Sequence, residues 1–400
     1  MIHKLDLNEF TVFKKASLEF GNRINVLIGE NGSGKTQILK FLYATLNILP
    51  IYQKDGIYYW KQVVKDTIPA PKTGVVNKLT EKSDLERFKS VFKVDIVADL
   101  VNQDYRNKKT KRTHQERMKA IDGTDFDVIH EDVSGVRSEN SVFFSVDGKD
   151  YEYNIELCYL DVIAGNLIAS KKEAPDPIPV GFLPECLFLP TRELLTIFPH
   201  YLSLLRMYKL PYDSTYDDGI TKLGLPPSNQ YAEEFISIIK DLEKAIEGTI
   251  FLKNDKFYYR PYSAKEDQDI DINMTAEGWR KLGMLLQLIK TGGLHKGVVL
   301  LWDEPEANLN PKLISLVAKV LIKLSKLDIQ VFITTHSLFL LREIDMLSKE
   351  KGTYEQGDIR YFNFLGKGKV EQGNAPEDLN NILLLDESLK QSDRYLEMED

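Results

Sequence analysis

Eight consecutive residues near the start of the chain, Gly29–Thr36, have the spacing of a loop that holds phosphate groups. Their sequence, GENGSGKT, fits the pattern GxxxxGK[ST] and lies between an apolar run and a helical run. Glycines let successive backbone N–H groups curl around phosphate oxygens, and the N-terminus of the following helix favours negative charge. The alternative is a plain glycine-rich turn. The residues predicted to bind a nucleoside triphosphate are Gly29, Asn31, Gly32, Ser33, Gly34, Lys35 and Thr36.

The last two residues of this loop have separate predicted tasks. The ammonium group of Lys35 is expected to reach the β- and γ-phosphates, which makes it a candidate catalytic residue. The hydroxyl of Thr36 is expected to ligate Mg²⁺. The pattern therefore predicts a magnesium-bound nucleotide rather than a bare phosphate.

Two adjacent acids, Asp303 and Glu304, follow the apolar run at residues 298–302. This run is predicted to be a buried strand beside the phosphate loop, so Asp303 at its carboxyl end can hold Mg²⁺ directly or through water. Because side chains alternate along a strand, Glu304 is expected to face another direction, toward an attacking water. The alternative is a solvated strand end. Glu306, past a proline, is expected on the rim of the site.

A histidine stands at the end of the next predicted strand. His336 follows the apolar sequence VFITT. An imidazole at this place can hydrogen-bond the γ-phosphate and sense whether it is present, although a lone histidine after a strand can also be purely structural. The predicted catalytic set is therefore Lys35, Glu304 and His336.

The pattern of apolar runs around these residues predicts an α/β fold with a mainly parallel sheet covered on both faces. The predicted strands are two short N-terminal antiparallel runs within residues 2–20, and residues 24–28, 186–190, 298–302 and 329–335. The predicted helices are residues 35–49, 191–208, 233–246, 275–293 and 311–326. Hairpins are predicted to turn at Asp147-Gly148 and at Asn254-Asp255.

This pattern also predicts three regions along the chain. Residues 1–190 form a nucleotide-binding lobe that carries the phosphate loop and an inserted region at 51–180. Residues 191–270 form a helical lobe with a hairpin. Residues 271–400 return to the nucleotide-binding core and complete it with the acids and the histidine.

Composition limits the classes of protein to consider. Hydrophobic content of 43% and charged content of 28% indicate a folded globular chain. Cys158 and Cys186 are the two cysteines, too few and too widely spaced for a zinc module or a disulfide framework, so a cytoplasmic protein is expected. No apolar run approaches the roughly 18 residues of a membrane span, so no membrane partner is expected.

Two local clusters of charged residues are candidates for binding sites. The net charge is −8, so contact with nucleic acid requires a local patch, and the basic run Arg106–Lys119 is the candidate. A solvated loop is the alternative for this run. Asp267, Asp269 and Asp271 alternate along one predicted strand and can share a face as a metal site, but no general base accompanies them.

Together these motifs resemble the ABC-type ATPase head, and more narrowly the RecF/OLD-like branch of prokaryotic AAA-family ATPases. The segments that carry the resemblance are NEFTVFKKASLEFGNRINVLIGENGSGKT, FLPTRELL, AEGWRKLG, DEPEANLNP and TTHS. The resemblance implies a P-loop NTPase fold, ATP as the nucleotide with Mg²⁺, and hydrolysis to ADP and phosphate. It also implies a head-to-tail homodimer, or a higher oligomer of dimers, in which each copy completes the other's ATP site.

In that family, a signature segment opens a helix and caps the γ-phosphate bound by the partner. TAEGWRK, at residues 275–281, is similar in its place before the acidic strand. It departs from the family's LSGGQ pattern because Ala276 stands where serine is usual. The phosphate contact is therefore expected from Gly278 and backbone N–H groups, with Thr275 supplying a hydroxyl and also capping the helix.

The family also carries a glutamine loop where the ATP core passes into the helical lobe. CLFLPTRELL occupies that transition, with Arg192 and Glu193 where the glutamine is expected. Either can touch the metal-bound water or the phosphate, or Arg192 can pair with an acid across the lobe boundary. Glu193 is thus a candidate cofactor-binding residue.

The function predicted from this resemblance is an ATPase that dimerises on ATP and gates or drives a separate effector, such as a nuclease or toxin. The similarity to ATPase subunits of antiphage systems such as Septu and PARIS favours host defence. Only about sixty residues follow His336, fewer than the nuclease domain of full OLD proteins needs. The main alternative is a RecF-like clamp in DNA repair, and the nucleotide-binding subunit of a transporter is a weaker one.

Overall fold

A computed structural model gives the architecture of the chain. It describes residues 1–10, 12–43, 46, 137–146, 149–158, 168–170, 184–199, 201, 215–228, 233–265, 268–350 and 354–398. The strands are β1 (Ile2–Phe10), β2 (Phe13–Glu19), β3 (Ile24–Gly29), β4 (Arg137–Val146), β5 (Lys149–Cys158), β6 (Ile168–Ser170), β7 (Cys186–Leu189), β8 (Gly248–Lys253), β9 (Lys256–Pro261), β10 (Ile270–Asp271), β11 (Val299–Asp303), β12 (Gln330–Thr335), β13 (Ile359–Phe364) and β14 (Val370–Gly373). The helices are α1 (residues 35–43), α2 (Thr215–Leu223), α3 (Glu233–Ile246), α4 (Glu277–Lys290), α5 (Pro311–Ser325), α6 (Leu338–Ser348) and α7 (Leu383–Glu397).

One of two compact units comprises Ile2–Leu18 and Asn47–Leu183. Its described strands form a sheet in the order β2-β1-β4-β5-β6, in which β4 pairs antiparallel with β1 and β5. Val146 pairs with Lys149 across the end of the β4–β5 hairpin, which confirms the predicted hairpin. The turn residues themselves and the basic run Arg106–Lys119 lie outside the described residues.

The other unit comprises Met1, Glu19–Leu46 and Pro184–Asp400, and it is built on a six-stranded sheet. The strand order is β14-β13-β3-β12-β11-β7, with β14 antiparallel and the rest parallel. Every residue of β3, β7, β11 and β12 is buried. Strands buried along their whole length are typical of a parallel sheet covered on both faces, and the predicted α/β fold is confirmed. The three-part division at residues 190 and 270 stays a prediction.

In this unit, the start of α5 and the buried face of α4 agree with the sequence pattern. The Asn310 side chain accepts a hydrogen bond from the backbone N–H of Leu313, 3.0 Å away, and Pro311 occupies the first turn of α5. This cap and the fixed φ of proline start the helix where it was predicted. Leu282, Leu285, Leu286 and Ile289, which recur at helical spacing along α4, are all buried.

Two expectations about the core are wrong. The acidic strand β11 was expected beside the phosphate loop, but β12 lies between β11 and β3. Residues 191–199 form turns instead of the first half of a helix. The carboxylate of Glu193 accepts hydrogen bonds from the N–H groups of Leu195 and Thr196, which closes a local turn, and Pro199 cannot donate to a helical ladder.

A small antiparallel sheet, β10-β9-β8, precedes α4. Asn254 and Asp255 adopt φ of 50° and 56° between β8 and β9, which confirms the predicted hairpin turn. Asp269 pairs with Arg260 and Lys253 at 2.7 and 3.2 Å, so its charge is already neutralised. Asp267 lies outside the described residues, and the described part of the chain holds no cluster of three or more His, Cys, Asp or Glu side chains suited to a metal ion.

Within the described residues, no helix is long and apolar enough to cross a membrane.

Candidate functional site

The phosphate loop connects β3 to α1 through three glycines with positive φ. Gly29, Gly32 and Gly34 have φ of 137°, 73° and 103°, values that other residues rarely adopt. At Gly29 a side chain is also excluded by space, because a Cβ atom would stand 2.3 Å from the carbonyl oxygen of Phe364 on β13. The glycines therefore allow the loop to turn tightly at the end of the buried strand.

Lys35 turns its side chain back into this loop. Its Nζ donates to the carbonyl oxygens of Gly29 and Glu30 at 2.9 and 2.8 Å, and only 5% of the residue is exposed. Burial lowers the pKa of Lys35, while the nearby charges of Glu304, Asp303 and Glu306 oppose that shift. A buried ammonium within the arc of the loop is well placed to meet a phosphate.

Asp303, at the carboxyl end of β11, contacts both the phosphate loop and the end of β12. Its Oδ1 accepts hydrogen bonds from the hydroxyls of Thr36, at 2.9 Å, and Thr334, at 2.5 Å. Its Oδ2 lies 3.2 Å from the hydroxyl of Thr191. Although β12 separates β11 from β3, the short Thr334 side chain on β12 leaves Asp303 in contact with the loop.

The oxygen atoms at this point fit a magnesium ion. Thr36 offers a hydroxyl and Asp303 a carboxylate, and Mg²⁺ is usually held by one or two carboxylates together with substrate phosphates. Asp303 is only 9% exposed, so its charge lies in a sheltered environment where electrostatic attraction is strong. Thr36 and Asp303 are therefore the residues that would hold the metal.

Glu304 points in a different direction from Asp303, but the reason differs from the predicted one. Strand alternation was expected to separate them, but β11 ends at Asp303 and Glu304 adopts φ of 48°. Its backbone N–H donates to the Thr334 hydroxyl at 3.1 Å, which fixes the chain reversal. Burial and the charges of Asp303 and Glu306 raise the pKa of Glu304, which moves the carboxylate toward the range of an effective general base.

His336 faces Glu304 from the end of β12. Its Nε2 lies 3.5 Å from Oε1 of Glu304. Burial first, and then the charge of Lys35, lower the pKa of His336, which favours the neutral imidazole, a form that can donate one hydrogen bond while accepting another. The structure thus brings Lys35, Thr36, Asp303, Glu304 and His336 to one edge of the sheet.

Glu306 does not lie on the rim. Its Oε1 accepts hydrogen bonds from the Thr335 hydroxyl, at 2.6 Å, and from the backbone N–H of His336, at 2.9 Å. The expectation failed because the turn after Pro305 directs this side chain inward, toward the end of β12.

The predicted signature segment begins α4 differently from expectation. Thr275 does not cap the helix, because its hydroxyl donates to the carbonyl of Ile272 at 2.7 Å. The N-cap is Ala276, which has no side-chain acceptor, and it is exposed. Gly278 has a packing reason of its own, since a Cβ there would approach the side chains of Leu313 and Leu309 at 3.1 and 3.2 Å. The roles of Thr275 and Gly278 toward ATP stay predictions.

Lys281 joins α4 to the acidic turn, the turn directly after β11 that carries Glu304 and Glu306. It is 2% exposed, and its Nζ donates to the carbonyl oxygens of Glu304 and Ala307 at 2.9 and 3.1 Å. Burial lowers the pKa of Lys281 to about 8. A lysine within the buried stripe of a helix is the signal in the sequence that could have identified this contact.

Glu193 is held by contacts other than those at the phosphate loop. Besides its turn hydrogen bonds, its Oε1 lies 3.0 Å from Nε of Arg280 on α4. Cofactor binding by Glu193 therefore stays a prediction without support from these contacts. Thr191, two residues earlier, reaches Asp303 instead. A threonine after a short strand carries no local signal for such a contact, which explains why the sequence did not indicate it.

Comparison with known sequences places this site in context. A sequence family described as "AAA ATPase domain" matches residues 1–160. A second, described as "AAA domain, putative AbiEii toxin, Type IV TA system", matches residues 192–342. Both segments have AAA-type ATPase sequence. The AAA-type match covers the phosphate loop and the acidic strand, whereas the narrower RecF/OLD-like branch stays a prediction.

Individual proteins show shorter or weaker similarity to this chain. The DNA replication and repair protein RecF of Shouchella clausii is 42% identical over 43 residues, which are 11% of this chain and 12% of that protein. The SMC head domain from Thermotoga maritima is 13% identical with a TM-score of 0.41, over 93% of this chain and 98% of that one. A Clostridium perfringens protein described as part of an ABC transporter complex is 12% identical with a TM-score of 0.36, over 100% and 98%.

Proposed function

We propose that this AAA-type protein binds ATP with Mg²⁺ at Gly29–Thr36 and hydrolyses it to ADP and phosphate. The observation that carries the proposal is the 2.9 Å contact between the hydroxyl of Thr36 and Oδ1 of Asp303. These residues are far apart in the sequence, and each ends a motif that predicts a nucleotide site independently of the other. Their meeting gives the loop a carboxylate where a phosphate-bound metal needs one.

In the proposed reaction, each residue of the cluster acts on a different atom. The backbone N–H groups of the loop and Lys35 hold the β- and γ-phosphates. When bound, Mg²⁺ neutralises charge on the phosphate oxygens. Glu304 accepts a proton from water, whose oxygen bonds to the γ-phosphorus as the bond to the ADP oxygen breaks. His336, whose Nε2 lies 3.5 Å from Oε1 of Glu304, hydrogen-bonds a γ-phosphate oxygen and so holds the γ-phosphorus in place for the water that Glu304 activates.

The test of this proposal is metal-dependent phosphate release. We expect the purified chain to release phosphate from ATP with Mg²⁺ and to stop when EDTA removes the metal. Asp303→Asn should raise the Mg²⁺ concentration for half-maximal rate at least about tenfold, since the ligand charge is lost. Asp255→Asn, in the exposed β8–β9 turn, is the matched control. Hydrolysis that continues in EDTA at the same rate would rule out the metal site.

We further propose that two copies associate head to tail when ATP binds. The N-terminus of α4 supports this, because Ala276 and Glu277 are exposed and no side chain caps the helix within the described residues. Uncapped N–H groups at a helix N-terminus attract an anion, so α4 of one copy can meet the γ-phosphate held by the other. ATP would then be the ligand that joins the copies.

The proposed role of the dimer is to gate a separate effector, such as a nuclease or toxin, in antiphage defence within the cytoplasm. The description of the family that matches residues 192–342 names a toxin and a toxin–antitoxin system, which supports a setting of this kind. An ATP-dependent change in association supplies the switch that such an effector requires.

A RecF-like clamp on DNA is the second candidate, favoured by the short similarity to RecF. This candidate predicts that the chain with ATP retains duplex DNA at low salt, and that retention falls steeply as salt rises. Neutral substitutions in the run Arg106–Lys119 should then abolish retention. A chain that hydrolyses ATP yet shows no DNA retention at low salt would leave effector gating as the function.

A further inference from the structure

Glu306 has no part in the reaction proposed above, yet its carboxylate is held at the centre of the site. One oxygen, Oε1, accepts from both the Thr335 hydroxyl and the His336 backbone N–H. The other, Oε2, is buried and has no hydrogen-bond partner among the described residues. Burying a carboxylate oxygen without a partner is costly, so the placement of Glu306 in this position calls for a functional explanation.

These contacts join the ends of two neighbouring strands. Glu306 belongs to the turn after β11, whereas Thr335 and His336 end β12. The Thr335 hydroxyl also accepts from the N–H of Ser337, at 2.9 Å. Ser337 in turn caps α6 by accepting from the N–H of Leu340 at 3.1 Å. A continuous chain of hydrogen bonds therefore runs from the acidic turn to the first turn of α6, and His336 lies within it.

The same turn carries Glu304 two residues earlier, so one rigid segment presents both glutamates. Lys281 stabilises this segment through the carbonyls of Glu304 and Ala307, on either side of Glu306. Its ammonium also supplies positive charge near the buried carboxylate. Glu306 is therefore fixed relative to Glu304 and is bonded to the backbone of His336.

We propose that Glu306 is a positioning residue that sets His336 relative to Glu304. This inference rests on the proposed function, in which Glu304 addresses the water and His336 the γ-phosphate. The two side chains lie 3.5 Å apart, and a displacement of about 1 Å in such a pair can cost on the order of 100-fold in rate. Glu306 transmits the position of the acidic turn to His336 through the backbone rather than through the imidazole.

Two substitutions of Glu306 separate the effect of side-chain length from the effect of charge. Glu306→Gln keeps an acceptor in the place of Oε1 and puts its amide nitrogen in the place of the unpartnered Oε2. The side-chain length is therefore kept and the charge is lost. Glu306→Asp keeps the charge but withdraws the acceptor by one methylene. Glu371→Asp is the matched control, because Glu371 on β14 also accepts from a backbone N–H, that of Asn380 at 3.0 Å.

If Glu306 positions His336, the length of its side chain should affect turnover more than its charge does. We expect Glu306→Asp to lower kcat about 10- to 100-fold with KM for ATP within about threefold, since Lys35 and Thr36 are untouched. Glu306→Gln should stay within about threefold of the unsubstituted chain on both constants. The control should change neither. Normal turnover by the aspartate variant, or an impaired glutamine variant beside it, would overturn the proposal.

An NMR measurement without nucleotide separates this inference from the proposed function. The imidazole signal of His336 is assigned among the six histidines by its loss in His336→Gln. It should shift in Glu306→Asp and stay in place in Glu306→Gln. An unchanged signal in the aspartate variant refutes positioning. A chain that never hydrolyses ATP refutes the proposed function, while the His336 signal still decides the contact.

Discussion

Replacing Glu304 with glutamine is expected to lower kcat for ATP about 10²- to 10⁴-fold and to leave ATP binding nearly unchanged. This corresponds to roughly 3 to 5 kcal/mol of activation free energy, the usual contribution of a positioned general base. The amide keeps the shape of the side chain but cannot accept the proton of the attacking water. The measurement is phosphate release under single-turnover conditions, together with the Kd for ATP.

The geometry of Glu304 explains why binding should survive. Its φ of 48° directs the chain away from Asp303, so the proposed metal ligand and the proposed base make different contacts. Glu350→Gln, at an exposed position just after α6, is the matched control and should hydrolyse ATP normally. Normal hydrolysis by Glu304→Gln would show that another group accepts the proton.

Replacing Lys35 with alanine is expected to raise the Kd for ATP about 10- to 100-fold or more. Hydrogen bonds to charged groups contribute about 1.5 to 3 kcal/mol each, and the ammonium is buried within the loop. The substitution also removes the donor to the carbonyls of Gly29 and Glu30, so the loop loses its own support. Isothermal titration calorimetry with ATP and Mg²⁺ measures the change.

A lysine elsewhere provides the comparison for this variant. Lys312 is exposed in the first turn of α5, and Lys312→Ala alters the net charge by the same amount. Its Kd for ATP should match that of the unsubstituted chain. Equal Kd values for Lys35→Ala and Lys312→Ala would contradict the assignment of the phosphate loop.

The residues of the proposed phosphate loop and the proposed metal aspartate could be located in the sequence because their signals are local. The glycines, Lys35 and Thr36 lie within eight residues, and Asp303 directly follows an apolar run. Parallel strands align their carboxyl ends, so the edge where the motifs meet follows from the fold class. The contact between Thr36 and Asp303 is the structural counterpart of that reasoning.

Features that depend on strand order were not predictable from the sequence. The place of β12 between β3 and β11, and of β13 on the other side of β3, comes from pairings between distant segments. The contacts of Thr191, Lys281 and Glu306 depend on that order, since each joins parts of the chain that are remote in sequence. Local patterns do not encode such contacts, and only the packed sheet brings them together.

Backbone conformation explains the remaining differences. The sequence predicted that strand alternation turns the side chain of Glu304 away from that of Asp303. In the structure the strand has already ended, and the positive φ of Glu304 redirects the chain. Thr275 looked like a helix cap because threonine is common there, yet its hydroxyl closes the preceding turn on Ile272. Both cases show side-chain hydrogen bonds deciding between conformations that the sequence pattern allows.

In the proposed mechanism, a second copy completes the ATP site and Glu304 empties the site by hydrolysis. The most direct measurement is the mass of Glu304→Gln by light scattering, with and without ATP and Mg²⁺, on a sample whose phosphate release is followed. The predicted result is a monomer without ATP and a stable dimer with it, without appreciable phosphate release. A variant that hydrolyses ATP at the normal rate and never changes mass would contradict both the role of Glu304 and the ATP-dependent dimer.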